Sequence, residues 1–156
     1  MSRGLGDVYK RQNPNVALKP HYLYDTNVVI LTLFPGIQEN MIRNILHTPG
    51  LRAVVLKTYG SGNAPQKPWF IDLLKEATDR GIVIINISQC STGSVEMGRY
   101  ETGLHLLDAG VISGYDSTVE SVLTKLMFLL GHGKNESEIR HQMSIPVAGE
   151  FTIPTM

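Results

Sequence analysis

Residues 53 to 65 decide the fold, and they read Ala53-Val54-Val55-Leu56-Lys57-Thr58-Tyr59-Gly60-Ser61-Gly62-Asn63-Ala64-Pro65. The first four residues form an uninterrupted apolar run, which is typical of a parallel strand that is covered on both faces. The run stops in a glycine-rich polar loop, and ligands of open α/β sheets bind beyond the carboxyl ends of the strands. Gly60 and Gly62 allow backbone to approach a ligand closely, and Asn63 supplies a carboxamide. We therefore expect the functional site in this loop.

Apolar runs and helical stripes alternate along the rest of the chain. Strands are predicted at 28–33, 53–56 and 82–87, with a short one at 111–112, and helical stripes cover 37–46, 69–77, 100–107, 119–130 and 139–143. Gly81 follows the second stripe and is predicted to be the C′ residue of that helix. This alternation favours βαβ units. The predicted fold class is α/β, a small parallel sheet of about four strands with helices on both faces.

Polar segments follow three of these strands, at 57–65, 88–98 and 114–117, and in a parallel sheet they share one rim. Two helix starts are also predicted from residue spacing. Ser117 with Glu120, and Asn135 with Glu138, have the spacing of a capping box, in which each residue satisfies a backbone donor of the other.

Composition excludes several classes of protein. The chain has 156 residues, of which 42% are hydrophobic and 18% charged, so we expect one domain with a proper core. Lys+Arg and Asp+Glu both number 14, and this zero net charge indicates neither nucleic acid nor a membrane as a partner. The only cysteine, Cys90, excludes an internal disulfide and fits a reducing compartment. With no signal peptide and no apolar run long enough to span a bilayer, a cytoplasmic location is predicted.

The first twelve residues have neither helical nor strand periodicity. They resemble adapter read-through in assembled environmental sequence, so we interpret 1–12 as a non-native leader and 13–156 as the natural domain. On this interpretation the chain is a fragment whose upstream part has been lost.

Several motifs have a plain structural alternative. A dinucleotide fingerprint would need a third glycine where Pro65 stands, so that interpretation is disfavoured. Cys90 follows the third predicted strand near the rim, but a lone cysteine is more often a small buried hydrophobe. Asp116 and Glu120 could serve in acid–base chemistry or bind a metal, although helix capping is the more economical explanation. The five histidines are scattered without metal-ligand spacing and are expected at the surface. Residue chemistry alone predicts a small-ligand site on an α/β domain.

A resemblance carries the interpretation further, and it rests on eight motifs that occur in one order. They are Leu33-Phe34-Pro35-Gly36-Ile37, Tyr59-Gly60-Ser61-Gly62-Asn63-Ala64-Pro65, Asp79-Arg80-Gly81-Ile82-Val83, Asn86-Ile87-Ser88-Gln89-Cys90, Ala109-Gly110-Val111-Ile112, Asp116-Ser117-Thr118-Val119-Glu120, Leu123-Thr124-Lys125-Leu126 and Leu129-Leu130. With these motifs the chain, from about Val28 to its end, resembles the C-terminal, Rossmann-like domain of the type I, cytoplasmic L-asparaginases.

The resemblance implies an amidohydrolase that converts L-asparagine to L-aspartate and ammonia without metal or organic cofactor. In this family a threonine of the N-terminal domain attacks the amide, assisted by a second threonine, a lysine and an aspartate. Their motifs, Thr-Gly-Gly-Thr and Thr-Asp-Thr, do not occur in this chain, and Asp25-Thr26 is only a superficial echo. The resemblance therefore implies no catalytic residue here, an inactive isolated chain, a missing N-terminal domain and a homo-oligomer, dimer or tetramer.

The resemblance also implies roles for three residues. Asn63 matches an asparagine that contacts bound substrate in the active site of a neighbouring subunit. Lys57 and Cys90 match residues of an effector pocket for asparagine, with Lys57 standing where an arginine is usual and lacking the bidentate fork of arginine. Two alternatives stay open: a stand-alone amino-acid-binding module, and the asparaginase-like subunit of an amidotransferase that acts on misacylated tRNA. Preference for asparagine over glutamine is also open.

Overall fold

A computed structural model of the protein describes residues 17, 19–98 and 101–153. The expected leader at 1–12 and the predicted helical Tyr100 lie outside the described residues. The elements are β1 (Val28–Thr32), α1 (Glu39–Leu46), β2 (Ala53–Thr58), α2 (Pro68–Asp79), β3 (Val83–Ser88), α3 (Glu101–Asp108), β4 (Ile112–Ser113), α4 (Val119–Gly131) and α5 (Glu136–Met143). None of the described helices is both long and apolar enough to cross a bilayer.

The four strands form one parallel sheet in the order β1-β2-β3-β4, which confirms the predicted fold class. Alternate side chains of each strand point to opposite faces, as the pleat of a strand requires. Val54 and Leu56 contribute to the core on one face, and Ala53 and Val55 to the core on the other. Both faces of β2 are therefore covered, as its apolar run predicts.

Helices cover the two faces unequally. Phe70 and Leu74 of α2 and Leu106 of α3 pack on the face that also receives α1, whereas Leu126 of α4 and Ile139 of α5 pack on the opposite face. The three helices that connect successive strands thus lie together, and the two that follow the last strand return across the sheet.

The predicted end of β2 is wrong by two residues. Lys57 and Thr58 pair with Ile87 and Ser88 of β3, so they extend the strand rather than begin the loop. A polar pair at a strand end breaks the apolar run without breaking the hydrogen-bonded ladder, so hydrophobic pattern alone ends the strand too early. Lys57 is therefore held by the sheet.

One of the two predicted capping boxes is wrong and the other is confirmed. The N-cap of α4 is Thr118, whose side chain accepts a hydrogen bond from the Ser121 backbone N–H at 3.3 Å. Ser117 is one residue too early, because its own N–H donates to the Gly114 carbonyl at 3.0 Å within the preceding turn. At α5, Asn135 and Glu138 form the box in both directions, at 2.9 and 3.0 Å. Gly81 follows the C-cap of α2 with φ +87°, as predicted.

Candidate functional site

Three polar loops meet at the carboxyl edge of the sheet, which confirms the predicted shared rim. The Gln89 N–H donates to the Thr58 carbonyl at 2.9 Å, and the Glu96 N–H donates to the Ser61 carbonyl at 3.1 Å. The Val95 N–H donates in turn to the carbonyl of Tyr115 at 3.0 Å. Backbone hydrogen bonds therefore join the loops after β2, β3 and β4 into one surface.

Residues 59–63, the Asn63 loop, close on themselves at the end of β2. The N–H of Tyr59 donates to the Asn63 carbonyl and the N–H of Asn63 donates back to the Tyr59 carbonyl, both at 2.8 Å. Gly60 and Gly62 have φ values of +48° and +113°, in the region that favours glycine. The Asn63 side chain is exposed on the rim. The tight turn thus displays a carboxamide at the carboxyl edge of the sheet, the edge at which open α/β sheets generally bind ligands.

Buried polar side chains lie beneath the Asn63 loop, and sequence reasoning missed them. Thr58 Oγ1 donates to Asn86 Oδ1 at 2.7 Å, and both side chains are fully buried. Ser88 Oγ donates to the Gly60 carbonyl at 2.5 Å from the neighbouring strand. The available signal was Asn86 itself, a carboxamide inside the run Val83-Ile84-Ile85-Asn86-Ile87, where a covered strand normally carries only apolar residues.

A second feature of the edge is a cavity of about 240 Å³, the rim pocket, in which Lys57 and Cys90 come together. Other lining residues are Ile87, Ser88, Gln89, Ser91, Gly93, Asp116, Ser117, Thr118, Val119 and Glu120. Lys57 supplies a cation, Asp116 and Glu120 supply carboxylates, and the N-terminus of α4 adds partial positive charge. A pocket with both signs of charge suits a small zwitterion.

The expectation that Cys90 is a buried hydrophobe is wrong, because the residue is exposed. It lies in a turn directly after β3, where its N–H donates to Ser88 Oγ at 2.9 Å and its carbonyl accepts from the Gly93 N–H at 2.9 Å. The turn carries the thiol out of the core and into the lining of the rim pocket. Asn63 is not among the residues that line this pocket.

The two acidic residues of the pocket do not cap α4 as expected. Asp116 Oδ1 accepts a hydrogen bond from the Thr152 N–H at 2.6 Å, which ties the C-terminal segment to the rim. Glu120 is exposed in the first turn of α4. Among the residues that the structure describes, no three His, Cys, Asp or Glu side chains are grouped to hold a metal ion.

Comparisons with known proteins agree on one family. Residues 27–143 match the profile of the glutaminase/asparaginase C-terminal domain. The chain is 46% identical over 132 residues to L-asparaginase 1 of Escherichia coli (strain K12), covering 85% of this chain and 39% of that protein. It is similar to the crystal structure of L-asparaginase I from Vibrio cholerae with a TM-score of 0.84 at 40% identity, covering 91% of this chain and 42% of that one.

A relative with a different name is also similar. A glutamyl-tRNA(Gln) amidotransferase component from Methanobrevibacter smithii is 34% identical over 158 residues, covering 92% of this chain and 36% of that protein. The chain therefore spans roughly two fifths of the length of these three relatives.

Proposed function

The chain belongs to the glutaminase/asparaginase family, and we propose that it forms the C-terminal part of an enzyme that hydrolyses L-asparagine to L-aspartate and ammonia. The observation that carries the proposal is the exposed carboxamide of Asn63 at the carboxyl edge of the sheet, on a domain similar to that of an L-asparaginase with a TM-score of 0.84. Hydrolysis of the amide needs a nucleophile, which the family takes from a threonine in its N-terminal domain.

In this proposal Asn63 contacts the bound amino acid in the active site of a neighbouring subunit of a cytoplasmic homo-oligomer. A carboxamide offers both a donor and an acceptor, so it suits a substrate that carries an ammonium and a carboxylate group. The left-handed glycines on either side of Ser61 support this role, because they let the turn project without side chains that would block approach.

Ammonia release tests the proposal in two proteins. The isolated chain is expected to release no ammonia from asparagine, because it supplies no nucleophile. A chimera in which residues 27–143 replace the matching domain of the Escherichia coli enzyme is expected to be active. In the chimera, Asn63→Ala should lower kcat/KM about tenfold, the effect of losing one hydrogen bond to a charged ligand.

The matched control is Asn44→Ala, which removes another exposed carboxamide from α1, away from the rim. It should leave kcat/KM unchanged. Turnover by the isolated chain, or equal activity of the Asn63→Ala and parent chimeras, would contradict the assignment of roles.

We further propose that the rim pocket binds free asparagine as an effector. Its volume of about 240 Å³ is below the roughly 300 Å³ at which drug-sized sites begin, so it suits a metabolite of amino-acid size. Lys57 can meet the carboxylate, and Asp116 or Glu120 the ammonium. In calorimetry with asparagine, Lys57→Met should abolish the heat of binding and Asn63→Ala should preserve it. The opposite pattern would assign binding to the Asn63 loop.

Binding without enzymatic function would make the chain a stand-alone amino-acid-binding module. A chain that binds asparagine through Lys57, but whose chimera is inactive although folded, would favour this alternative over the enzyme.

A second candidate function is that of an amidotransferase component, and similarity to the Methanobrevibacter smithii protein supports it. The formal net charge of zero opposes direct contact with tRNA, since affinity for phosphate backbones comes from an excess of Lys and Arg. A mobility-shift assay with tRNA at physiological salt separates the two functions. Specific binding by the chain would favour the amidotransferase.

A further inference from the structure

Polar side chains in the core of this domain are few, and they are concentrated below the Asn63 loop. Among the described residues only Thr58, Thr78 and Asn86 are polar and buried. Thr78 donates to the carbonyls of Lys75 and Ala109, at 2.9 and 2.6 Å, and so joins α2 to the end of α3. Thr58 and Asn86 instead pair with each other directly under the loop.

The hydrogen bond between them fixes the orientation of the Asn86 carboxamide. Thr58 Oγ1 donates to Oδ1 of Asn86 at 2.7 Å, so the amide nitrogen Nδ2 points away from Thr58. A Cβ built on Gly62 would lie 3.6 Å from this Nδ2 and 3.0 Å from Val95 Cγ1. The Cα of Gly62 therefore faces both the amide nitrogen and Val95, with little room between for a side chain.

Core packing does not require this polar pair. Leu56 and Ile84 lie on the same face of the same two strands and are fully buried without any polar group. Asn86 Nδ2 is buried and has no acceptor among the residues that the structure describes. A buried donor without a partner is destabilising, so its presence in a native fold calls for a specific cause.

The loop above offers acceptors for this donor. The Gly60 carbonyl accepts from Ser88 Oγ, and the Ser61 carbonyl accepts from the Glu96 N–H. Each carbonyl oxygen has two lone pairs and can accept a second hydrogen bond. Nδ2 donates to neither carbonyl in the structure, so the loop would have to move for one of them to accept from it.

We propose that Thr58 and Asn86 are positioning residues for Asn63. Their hydrogen bond orients Nδ2 beneath Gly62, Nδ2 sets the height of the loop above the sheet, and the loop then presents the Asn63 carboxamide to substrate. The last step rests on the proposed asparaginase function. The first two concern only this chain and can be measured without any activity.

The first experiment measures backbone hydrogen exchange in the isolated chain. Thr58→Val keeps the shape of the side chain and removes the hydroxyl, so exchange at the amides of 60–63 should become about three- to tenfold faster, as for the loss of one hydrogen bond. Thr58→Ser restores the hydroxyl and should restore the slow exchange. Thr78→Val, which removes the other buried hydroxyl, should leave the exchange of 60–63 unchanged.

The second experiment measures kinetics in the chimera with the Escherichia coli enzyme. Thr58→Val should raise KM for asparagine about three- to tenfold while kcat changes less than about twofold, because Asn63 is displaced and the nucleophile is not. Thr58→Ser should restore KM, and Thr78→Val should leave it unchanged. A general loss of stability would not produce this split between KM and kcat.

Each outcome decides a separate step. Unchanged exchange at 60–63 in a folded Thr58→Val chain would overturn the support of the loop, and faster exchange with unchanged KM would overturn its role for substrate. An inactive parent chimera would count against the asparaginase function, while the exchange result would still decide the positioning of the loop.

If Thr58→Val does not fold, nuclear magnetic resonance of the unmodified chain decides instead. The Asn86 carboxamide protons should exchange slowly, and fast exchange would overturn the proposal.

Discussion

The Asn63 loop and the segment that follows α5 both shape the rim, but different forces hold them. The Asn63 loop is closed by two backbone hydrogen bonds, and the buried pair below it is a neutral hydroxyl and a neutral carboxamide. The other segment is held by a cluster of four side chains, the C-terminal clamp, formed by Tyr115, Lys125, Glu150 and Phe151. One region therefore depends on backbone geometry, and the other on charge and aromatic contact.

The C-terminal clamp is built around an ion pair with little exposure. Lys125 Nζ lies 2.7 Å from Glu150 Oε1, with the two side chains 11% and 14% exposed. The same Nζ lies 5.3 Å from the centre of the Phe151 ring, a cation–π distance. Phe151 stacks on Tyr115 at 5.1 Å and 12°. Tyr115 has φ +53°, a conformation that is costly outside glycine, so the stack holds a strained residue.

Because different forces hold the two regions, the Asn63 loop and the rim pocket should respond differently to pH. The backbone hydrogen bonds of the Asn63 loop and the Thr58–Asn86 pair involve groups that do not titrate between about pH 3 and 9, so these hydrogen bonds should not respond to pH in that range. The C-terminal clamp contains a carboxylate, and through the hydrogen bond from Thr152 to Asp116 it reaches the lining of the rim pocket. Acid should therefore affect the rim pocket before it affects the Asn63 loop.

The largest effect is expected from breaking the C-terminal clamp with Phe151→Ala. The substitution removes the ring that packs on Tyr115 and under Lys125, from a site only 7% exposed. The free energy of unfolding, measured by urea denaturation, should fall by about 2–4 kcal/mol. Phe34→Ala, at a phenylalanine that is 46% exposed, is the control and should change it by less than about 1 kcal/mol. Equal losses at the two positions would show that the clamp adds nothing beyond ordinary surface packing.

Gly62→Ala tests the other side of the comparison, where backbone geometry dominates. The new Cβ would adopt φ +113° and lie 3.0 Å from Val95 Cγ1, so the free energy of unfolding should fall by about 2 kcal/mol at every pH. Gly60→Ala is the control, because φ there is +48° and no atom of the described part of the chain lies within 4 Å of the new Cβ. It should cost only about 1 kcal/mol, the effect of the left-handed conformation alone. Identical losses would assign the whole effect to φ and none to the contact with Val95.

The contrast between the two regions also explains what the sequence could predict. The Asn63 loop depends on residues close together in sequence. Eleven residues contain an apolar run, two glycines and an asparagine, and this pattern predicts a strand, a turn and an exposed carboxamide. The class of sheet, parallel with about four strands, also follows from the alternation of apolar runs and helical stripes. These features need no knowledge of distant residues.

The features that could not be predicted depend on contacts between distant residues. Lys125 and Glu150 are 25 residues apart, and Thr152 reaches Asp116 across 36. Thr58 and Asn86 are 28 apart, and their side chains meet only because β2 and β3 are neighbours in register.

Two predictions from local sequence, the burial of Cys90 and the start of α4, are wrong because hydrogen-bonded turns override the usual preferences of the residues. Burial is predicted for Cys90 because a lone cysteine is usually a small buried hydrophobe, but the turn at 88–93, with its two hydrogen bonds, overrides that tendency. The predicted start of α4 is wrong for a similar reason. The N–H of Ser117 already donates to the Gly114 carbonyl in the preceding turn, so it is not available for a capping box.

The smallest effect is expected from Glu150→Gln, and its pH dependence gives the sharpest test of the comparison. Burial alone would raise the pKa of Glu150, but hydrogen bonds from Lys125 and from the N–H groups of Val147 and Ala148 lower it to about 2. Because this pKa is lower in the folded state than the ordinary value of 4.5, the stabilisation is fully present above about pH 4.5 and is lost as pH falls towards 2. At pH 7 the substitution should cost about 1 kcal/mol, since Val147 and Ala148 donate to separate oxygens of Glu150 and the single oxygen of Gln keeps one of these two hydrogen bonds.

Thermal unfolding curves from pH 7 to pH 2 check this expectation. The difference in melting temperature between the parent chain and Glu150→Gln should close as pH falls through this range, because the protonated carboxyl and the amide are then alike in charge. Asp79→Asn, in an exposed pair with Lys75 whose side chains are 62% and 58% exposed, should show almost no difference at any pH, since such pairs contribute little. Exchange at the amides of 60–63 should stay slow in Glu150→Gln throughout. A difference that stays constant with pH, or a loop that opens together with the clamp, would mean that the two regions share one source of stability after all.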